Sequence, residues 1–278
     1  MAQIDLIKTL REETGAGVMD CQKALSKANN DITKAKEILK EEGLLKADQK
    51  ASRETKAGVI SGFLNENQKI GALLELRCET DFVAQNEEFI NLANNLVKQV
   101  AQENPKDLES FLSQNYIEDK NETVDHITKG ATAKFGEKIV IEKFIRWETT
   151  GILTLYIHHG NRVGTLVELE ISNMAEEYKQ LGKDLAMQVA AMNPLYLAPE
   201  NIPEEKIEAM KQEYLQEIDQ NKPLEVRNKI LEGKLSKKFE EICLLKQKFI
   251  KNDEITVEQY VKNFGKNVKI GRFIRFQA

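Results

Sequence analysis

Apolar positions in the first 45 residues recur at helical spacing in three stretches: Ile4, Ile7 and Leu10; Val18, Cys21 and Leu25; Ile32, Ala35 and Leu39. Spacing of three to four residues lines one face of a helix, so the pattern predicts a compact three-helix module over residues 1–45. Its boundaries carry matching chemistry. Gly15 and Gly17 break the first helix from the second, Asp31 offers an N-cap to the third, and Gly43 offers that helix a left-handed C-cap. Residues 46–57 are mostly polar and predict a linker with helical tendency.

Period-two alternation follows. Residues 59–64 and 70–76 flank Asn65-Glu66-Asn67-Gln68, and residues 152–157 and 163–171 flank His158-His159-Gly160-Asn161; both are hairpin signals. A helical pattern succeeds each hairpin, over 87–102 and 176–192. The two units are copies. Lys69-Ile70-Gly71-Ala72-Leu73-Leu74-Glu75-Leu76 reappears as Arg162-Val163-Gly164-Thr165-Leu166-Val167-Glu168-Leu169, and Phe144-Ile145-Arg146-Trp147 as Phe273-Ile274-Arg275-Phe276. Two related α+β subdomains are therefore expected, over 58–148 and 149–278. The second holds about 40 residues more, Pro194 to Phe273 against Pro105 to Phe144. That excess, near 203–249, carries apolar stripes at Ile207, Met210, Tyr214, Leu215 and Ile218, then Val226, Ile230 and Leu231, either side of Asn221-Lys222-Pro223. Strong charge and a narrow apolar seam predict a protruding antiparallel helical hairpin.

The copies also fall out of step before their helices. Gly71 and Gly164 lie 93 positions apart, but Pro105 and Pro194 only 89, so four extra residues sit between strand and helix in the first copy. They fall in Cys78-Glu79-Thr80-Asp81-Phe82-Val83. Loops carry function disproportionately, which makes this the first place to look. Phe82 can act as a rigid apolar wedge, and Asp81 can accept hydrogen bonds from a partner's backbone. The structural alternatives are a core aromatic and a helix cap.

Composition narrows the classes. The 278 residues, 41% of them hydrophobic, suffice for a full core, and a formal charge of −5 argues against nucleic acid as the main partner. The N-terminus shows no signal or transit pattern and no run is long enough to span a bilayer, so a cytoplasmic location is expected. Cys21, Cys78 and Cys243 are odd in number and far apart, which points to reduced thiols and no metal centre. Thr14-Gly15-Ala16-Gly17 follows no strand and precedes no Gly-Lys-Ser/Thr, and so reads as a helix-breaking turn. Glu75 and Glu168 occupy equivalent positions in the repeats, which gives no support for a facing acid pair. No nucleophile and base pattern is present, and an enzyme is not expected.

Two segments resemble known signatures. Leu10-Arg11, followed by Thr14-Gly15-Ala16-Gly17-Val18-Met19-Asp20-Cys21 and Lys23-Ala24-Leu25, is one; Cys78-Glu79-Thr80-Asp81-Phe82-Val83-Ala84 is the other. Both look like those of the translation elongation factor Ts family, guanine-nucleotide exchange factors for elongation factor Tu. The resemblance implies an α+β fold with an N-terminal three-helix (UBA-like) head, two related α+β core subdomains and an inserted antiparallel helical hairpin. It also implies that Arg11, Thr14, Gly15, Ala16, Gly17, Val18, Met19 and Asp20 help the head bind the partner. Thr80, Asp81, Phe82 and Val83 are then the residues that disturb the partner's magnesium and phosphate site, promoting GDP release and GTP rebinding. Elongation factor Tu is the implied partner, with pairing of two such heterodimers left open. No cofactor, catalytic residue, membrane or nucleic acid is implied. Members often carry a further C-terminal helix that packs on the partner, and this sequence runs only to Phe276-Gln277-Ala278.

The chemistry is intelligible apart from the name. A nucleoside diphosphate held by backbone donors, a lysine and Mg²⁺ is weakened by whatever displaces the metal or tilts those donors, with no covalent step. A non-catalytic adaptor is the rival reading. An RNA-binding module is disfavoured by the acidic charge and the lack of a basic, aromatic strand pair.

Overall fold

The computed structural model describes residues 3–171, 176–265 and 268–278. The head comprises α1 (Gln3–Thr14), α2 (Val18–Lys27) and α3 (Ile32–Gln49). The first repeat contains β1 (Ala57–Leu64), β2 (Ile70–Cys78), α4 (Asp81–Ala84), α5 (Glu87–Glu103), α6 (Leu108–Ser113), α7 (Val124–Phe135) and β3 (Val140–Glu148). The second contains β4 (Ile152–Ile157), β5 (Val163–Glu170), α8 (Glu176–Met192), α9 (Glu204–Glu217) and α10 (Leu224–Ile242). It closes with β6 (Lys248–Phe249), β7 (Asn252–Thr256), α11 (Val257–Lys262) and β8 (Lys269–Gln277). The mixed helix and sheet content is that of an α+β protein.

Each repeat forms a three-stranded antiparallel sheet, ordered β1-β2-β3 and β4-β5-β8. Side chains alternate faces along a strand, and both faces are covered here, which is why consecutive Leu73 and Leu74 are both buried. Leu74 packs under α5 with Phe89, Leu96 and Val100, while Leu73 packs against Leu153 and Leu166 of the other sheet. The seam between sheets is close. A Cβ on Gly71 would stand 2.9 Å from Leu166 Cδ1 and one on Gly164 only 2.5 Å from Ile60 Cγ2, so glycine is what permits the approach.

The seam is also reciprocal. Ile60 N donates to Asn161 O at 2.6 Å and Leu153 N to Gln68 O at 2.8 Å, the same bond in each direction 93 positions apart. Lys143 lies 4.6 Å over the Phe276 ring and Arg272 4.3 Å over the Trp147 ring, again equivalent residues exchanging roles. Both sheets bulge at the same place, between Glu75 and Leu76 and between Glu168 and Leu169. Both core helices end on a left-handed Asn, Asn104 (φ 48) and Asn193 (φ 46), before a proline that cannot continue the turn.

The structure locates the differences between the copies. Thr123 caps α7 and Thr256 caps α11, 133 positions apart, whereas the core helices are offset by 89. A 44-residue insertion therefore lies in the second copy between Pro194 and Gln247, and it holds α9 and α10. The chain leaves and re-enters side by side: Leu195 N and Tyr196 N donate to Ile242 O, and Leu244 N returns to Tyr196 O at 2.8 Å. The hairpin helices thus end at Ile242, short of residue 249, because buried Leu244 and Phe249 already belong to the core repeat. No described residue of α9 is buried, in keeping with protrusion.

By Ile141 and Ile270, which pair with the equivalent Leu76 and Leu169, the offset has fallen to 129. The first repeat thus has a second four-residue excess, about one helical turn, and α7 with 12 residues against 6 in α11 contains it.

The head differs from expectation at three places. Leu6 and Leu10 form the inward face of α1, which leaves Ile4 outside it, and Val18 begins α2 facing solvent. Gly43 does not cap α3. The helix runs on to Gln49 because it crosses α7, where a Cβ on Gly43 would stand 3.0 Å from Ala133 Cβ. Asp31 does cap α3, its Oδ1 accepting from Thr33 N and Lys34 N at 3.0 and 3.1 Å.

Candidate functional site

The four extra residues after β2 build α4. Thr80 caps it, its Oγ1 accepting from Val83 N at 3.5 Å, and Asp81 takes the first helical position. The turn then divides its side chains. Val83 and Ala84 are buried in the first core, while Phe82 is 85% exposed. Val83, grouped on sequence with the three residues before it, is thus an anchor, and Phe82 is no core aromatic. Asp81 pairs with Arg162 of the β4–β5 turn. Both are well exposed, so the pair adds little stability.

What fixes the turn is a pair of carboxylates. Glu137, two residues beyond α7, accepts from Glu79 N at 3.1 Å, Thr80 N at 3.0 Å and Thr80 Oγ1 at 2.6 Å. Glu79 answers by accepting from Lys138 N at 2.6 Å and pairing with Arg53 at 3.2 Å. The Lys138 N–H is the main reason that the Glu79 carboxyl lies below its usual range. Beneath them Cys78 Sγ donates to Thr80 O at 3.2 Å, and burial, assisted by the Glu137 charge, pushes its thiol up to about 12. Such a thiol is protonated and unreactive at neutral pH. Glu137 and Arg162 lie 57 and 81 positions from their loop partners, and no local sequence signal marks them.

The head signature forms the α1–α2 turn. Thr14 Oγ1 donates to Leu10 O at 2.6 Å and accepts from Ala16 N at 3.3 Å, Gly15 is left-handed (φ 68), and extended Gly17 caps α2. Gly15 N donates to Arg11 O at 2.8 Å, ending α1. Arg11 is exposed and Asp20 half-buried. Val18 and Met19 project outward, 47% and 64% exposed, with Ile4 also exposed.

The two signatures meet different sides of the end of α7. Lys134, paired with Glu88 at 3.0 Å, lies over Gly15 so closely that a Cβ there would come within 2.7 Å of Lys134 Cε. Three residues later Glu137 holds the Phe82 turn. The segment after α3 joins in: Lys50 Nζ donates to Gly136 O at 2.6 Å and Lys138 Nζ to Arg53 O at 2.9 Å. A cleft of about 210 Å³ separates the head from α7, lined by Thr14, Gly17, Leu39, Gly43, His126 and Ala133 among others. His158, in the β4–β5 turn, bonds Tyr156 OH at 2.8 Å. Among the described residues no three of His, Cys, Asp and Glu converge on a cation site, and no helix is long and apolar enough to cross a membrane.

The model of the family described as elongation factor TS matches residues 79–278, beginning at the brace residue Glu79. A protein of Aquifex aeolicus (strain VF5) named Elongation factor Ts is 42% identical over 280 residues, covering 98% of this chain and 96% of its own length. The chain belongs to the elongation factor Ts family. Relatives of the same name in Clostridium kluyveri and Clostridium botulinum are 38% and 37% identical, each over 100% of this chain and 92% of its own. Family membership therefore covers the head as well as both repeats, and it places the chain among the factors of translation elongation.

Proposed function

We propose that this protein is a guanine-nucleotide exchange factor that binds elongation factor Tu carrying GDP and accelerates GDP release, without covalent chemistry. One observation carries the reading: an aromatic ring, Phe82, stands almost wholly in solvent at the tip of a turn whose backbone is pinned on the other side. An exposed aromatic is ready to enter a partner, and a pinned backbone spares the ordering entropy of binding. Inserted between partner elements, Phe82 would spread them and disturb the site that holds magnesium and phosphate. Asp81 beside it offers carboxylate oxygens to donors that would otherwise face the nucleotide. The α1–α2 turn, with Val18 and Met19 outward, supplies a second contact that holds the partner while Phe82 acts. Because coupling free energy is shared, GDP then weakens the factor's binding as much as the factor weakens that of GDP.

The test is release of a fluorescent GDP from purified elongation factor Tu. The Phe82→Ala variant is expected to lose about 2 kcal/mol of coupling, on the order of 30-fold in release rate, while its thermal midpoint stays within about 1 °C of wild type. An adaptor would bind elongation factor Tu and leave GDP release unchanged.

A further inference from the structure

We propose that Glu137 is a positioning residue for nucleotide exchange, presetting the Phe82 turn that the exchange reading above relies on. The internal repeat serves as a control. The first repeat exceeds the second by four residues in two places, the connection after β2 and the helix α7, and Glu137 is where these two additions meet. Phe135-Gly136-Glu137-Lys138 aligns with Phe264-Gly265-Lys266-Asn267, so the copy without the Phe82 turn has lysine in place of the acid. A residue needed for the shared fold would be expected in both copies; a residue serving the turn is needed in one.

The geometry shows how it acts. A carboxylate is acceptor-only, and this one faces three donors, Glu79 N, Thr80 N and Thr80 Oγ1, at 2.6 to 3.1 Å. Two of those are the backbone N–H groups of the N-cap Thr80 and of Glu79 before it, which lie ahead of the first intrahelical bond and need a partner from outside α4. Satisfied from behind, they orient the turn so that Val83 points into the core and Phe82 points out. Without the carboxylate the Thr80 side of the turn loses these three restraints. It keeps the weak Thr80 to Val83 cap at 3.5 Å, the Cys78 Sγ bond to Thr80 O, the Asp81–Arg162 pair and burial of Val83 and Ala84, while Glu79 stays tied to Lys138 N and Arg53. Phe82 would then spend part of its time in other orientations, and exchange would fall by the fraction of time lost.

The experiment measures GDP release across a titration of factor, giving a maximal rate and a half-saturating concentration for wild type, Glu137→Gln, Phe82→Ala and the double variant. Glutamine keeps the size but removes the charge and one of the two acceptor oxygens, so its amide can meet the Thr80 hydroxyl only as a donor. Glu137→Gln should lower the maximal rate about tenfold with the half-saturating concentration within about twofold, since the head contact is untouched. Added to Phe82→Ala it should cause no further loss, because it acts through that ring. Should Glu137→Gln melt well below wild type, Thr80→Ala removes the hydroxyl side of the same contact and should give the same kinetic split. A wild-type rate for both variants, or a loss that multiplies in the Phe82→Ala background, overturns the assignment. If wild type itself fails to accelerate release, the exchange reading falls, and this one with it.

Discussion

Gln99 in the first repeat and Gln188 in the second perform the same task on different sequences. Gln99 Nε2 donates to Gln114 Oε1 and Asn115 O while its Oε1 accepts from Ile117 N; Gln188 does so with Gln247, Lys248 and Ile250. The same holds for Arg146 and Arg275, which donate to Ala101 O and Ala190 O. Beside this agreement stand the features found once: the Phe82 turn, the extra turn of α7, the Glu79–Glu137 brace, and the α9–α10 hairpin. Lys69 and Arg162 show the contrast in a single pair. They are equivalent, yet Lys69 donates to backbone carbonyls at Thr150 and Gly151, and Arg162 is directed to Asp81 of the added turn. What is repeated is what the fold requires; what is unrepeated is where this protein departs from a plain duplicated core.

That contrast can be pressed hardest in the cores. Leu74 and Val167 are equivalent and fully buried under α5 and α8. Leu74→Ala should cost about 2–5 kcal/mol in urea unfolding and Val167→Ala somewhat less, by the smaller volume removed. A silent variant on either side would show that the two cores are not equivalent. Next in size, Gln99→Ala and Gln188→Ala each leave buried backbone groups unpaired and should each cost about 1–3 kcal/mol. Unequal losses in the same assay would break the equivalence.

The smallest effect belongs to the first repeat alone. Cys78 aligns with Ile171, and burial raises its thiol from the ordinary 9.0 to about 12. The folded protein therefore holds the proton where the unfolded chain releases it. The resulting stability is complete below pH 9 and is lost as pH rises toward 12. Cys78→Val should flatten part of the alkaline decline in thermal midpoint; the rest includes Cys243, raised to about 11. An unchanged slope would remove Cys78 from the account.

Much of the scaffold was legible because it is periodic. Strand alternation and the 93-residue echo mark both hairpins, and α8 spans the residues that its apolar stripe predicts. The site was legible only in part. Phe82 and Asp81 stand out through the break in register, but Glu137 lies 57 positions from Thr80, beyond any periodic signal. Gly43 misled because a glycine that ends a helix and one that lets two helices touch look alike in sequence, and only the Ala133 contact tells them apart. Helix α7, with its extra turn, buries Val124, Thr128, Ala131 and Thr132, and a stripe half made of threonine does not announce a core helix as an aliphatic one does.

The reciprocal bonds across the seam have a mechanical consequence. Were Phe82 to push into a partner as proposed, the reaction would pass through Val83 and Ala84, which are packed in the core of the first sheet. The sheet rests on its neighbour through Ile60 N to Asn161 O and Leu153 N to Gln68 O, two tethers running in opposite directions, with Leu73, Leu153 and Leu166 packed between them. Slippage along the seam strains both tethers together and drives Gly71 and Gly164 against the side chains they admit. A thrust at Phe82 would thereby be shared by both halves of the core, through the bonds and packed side chains of the seam, and not be taken by the four-residue helix alone.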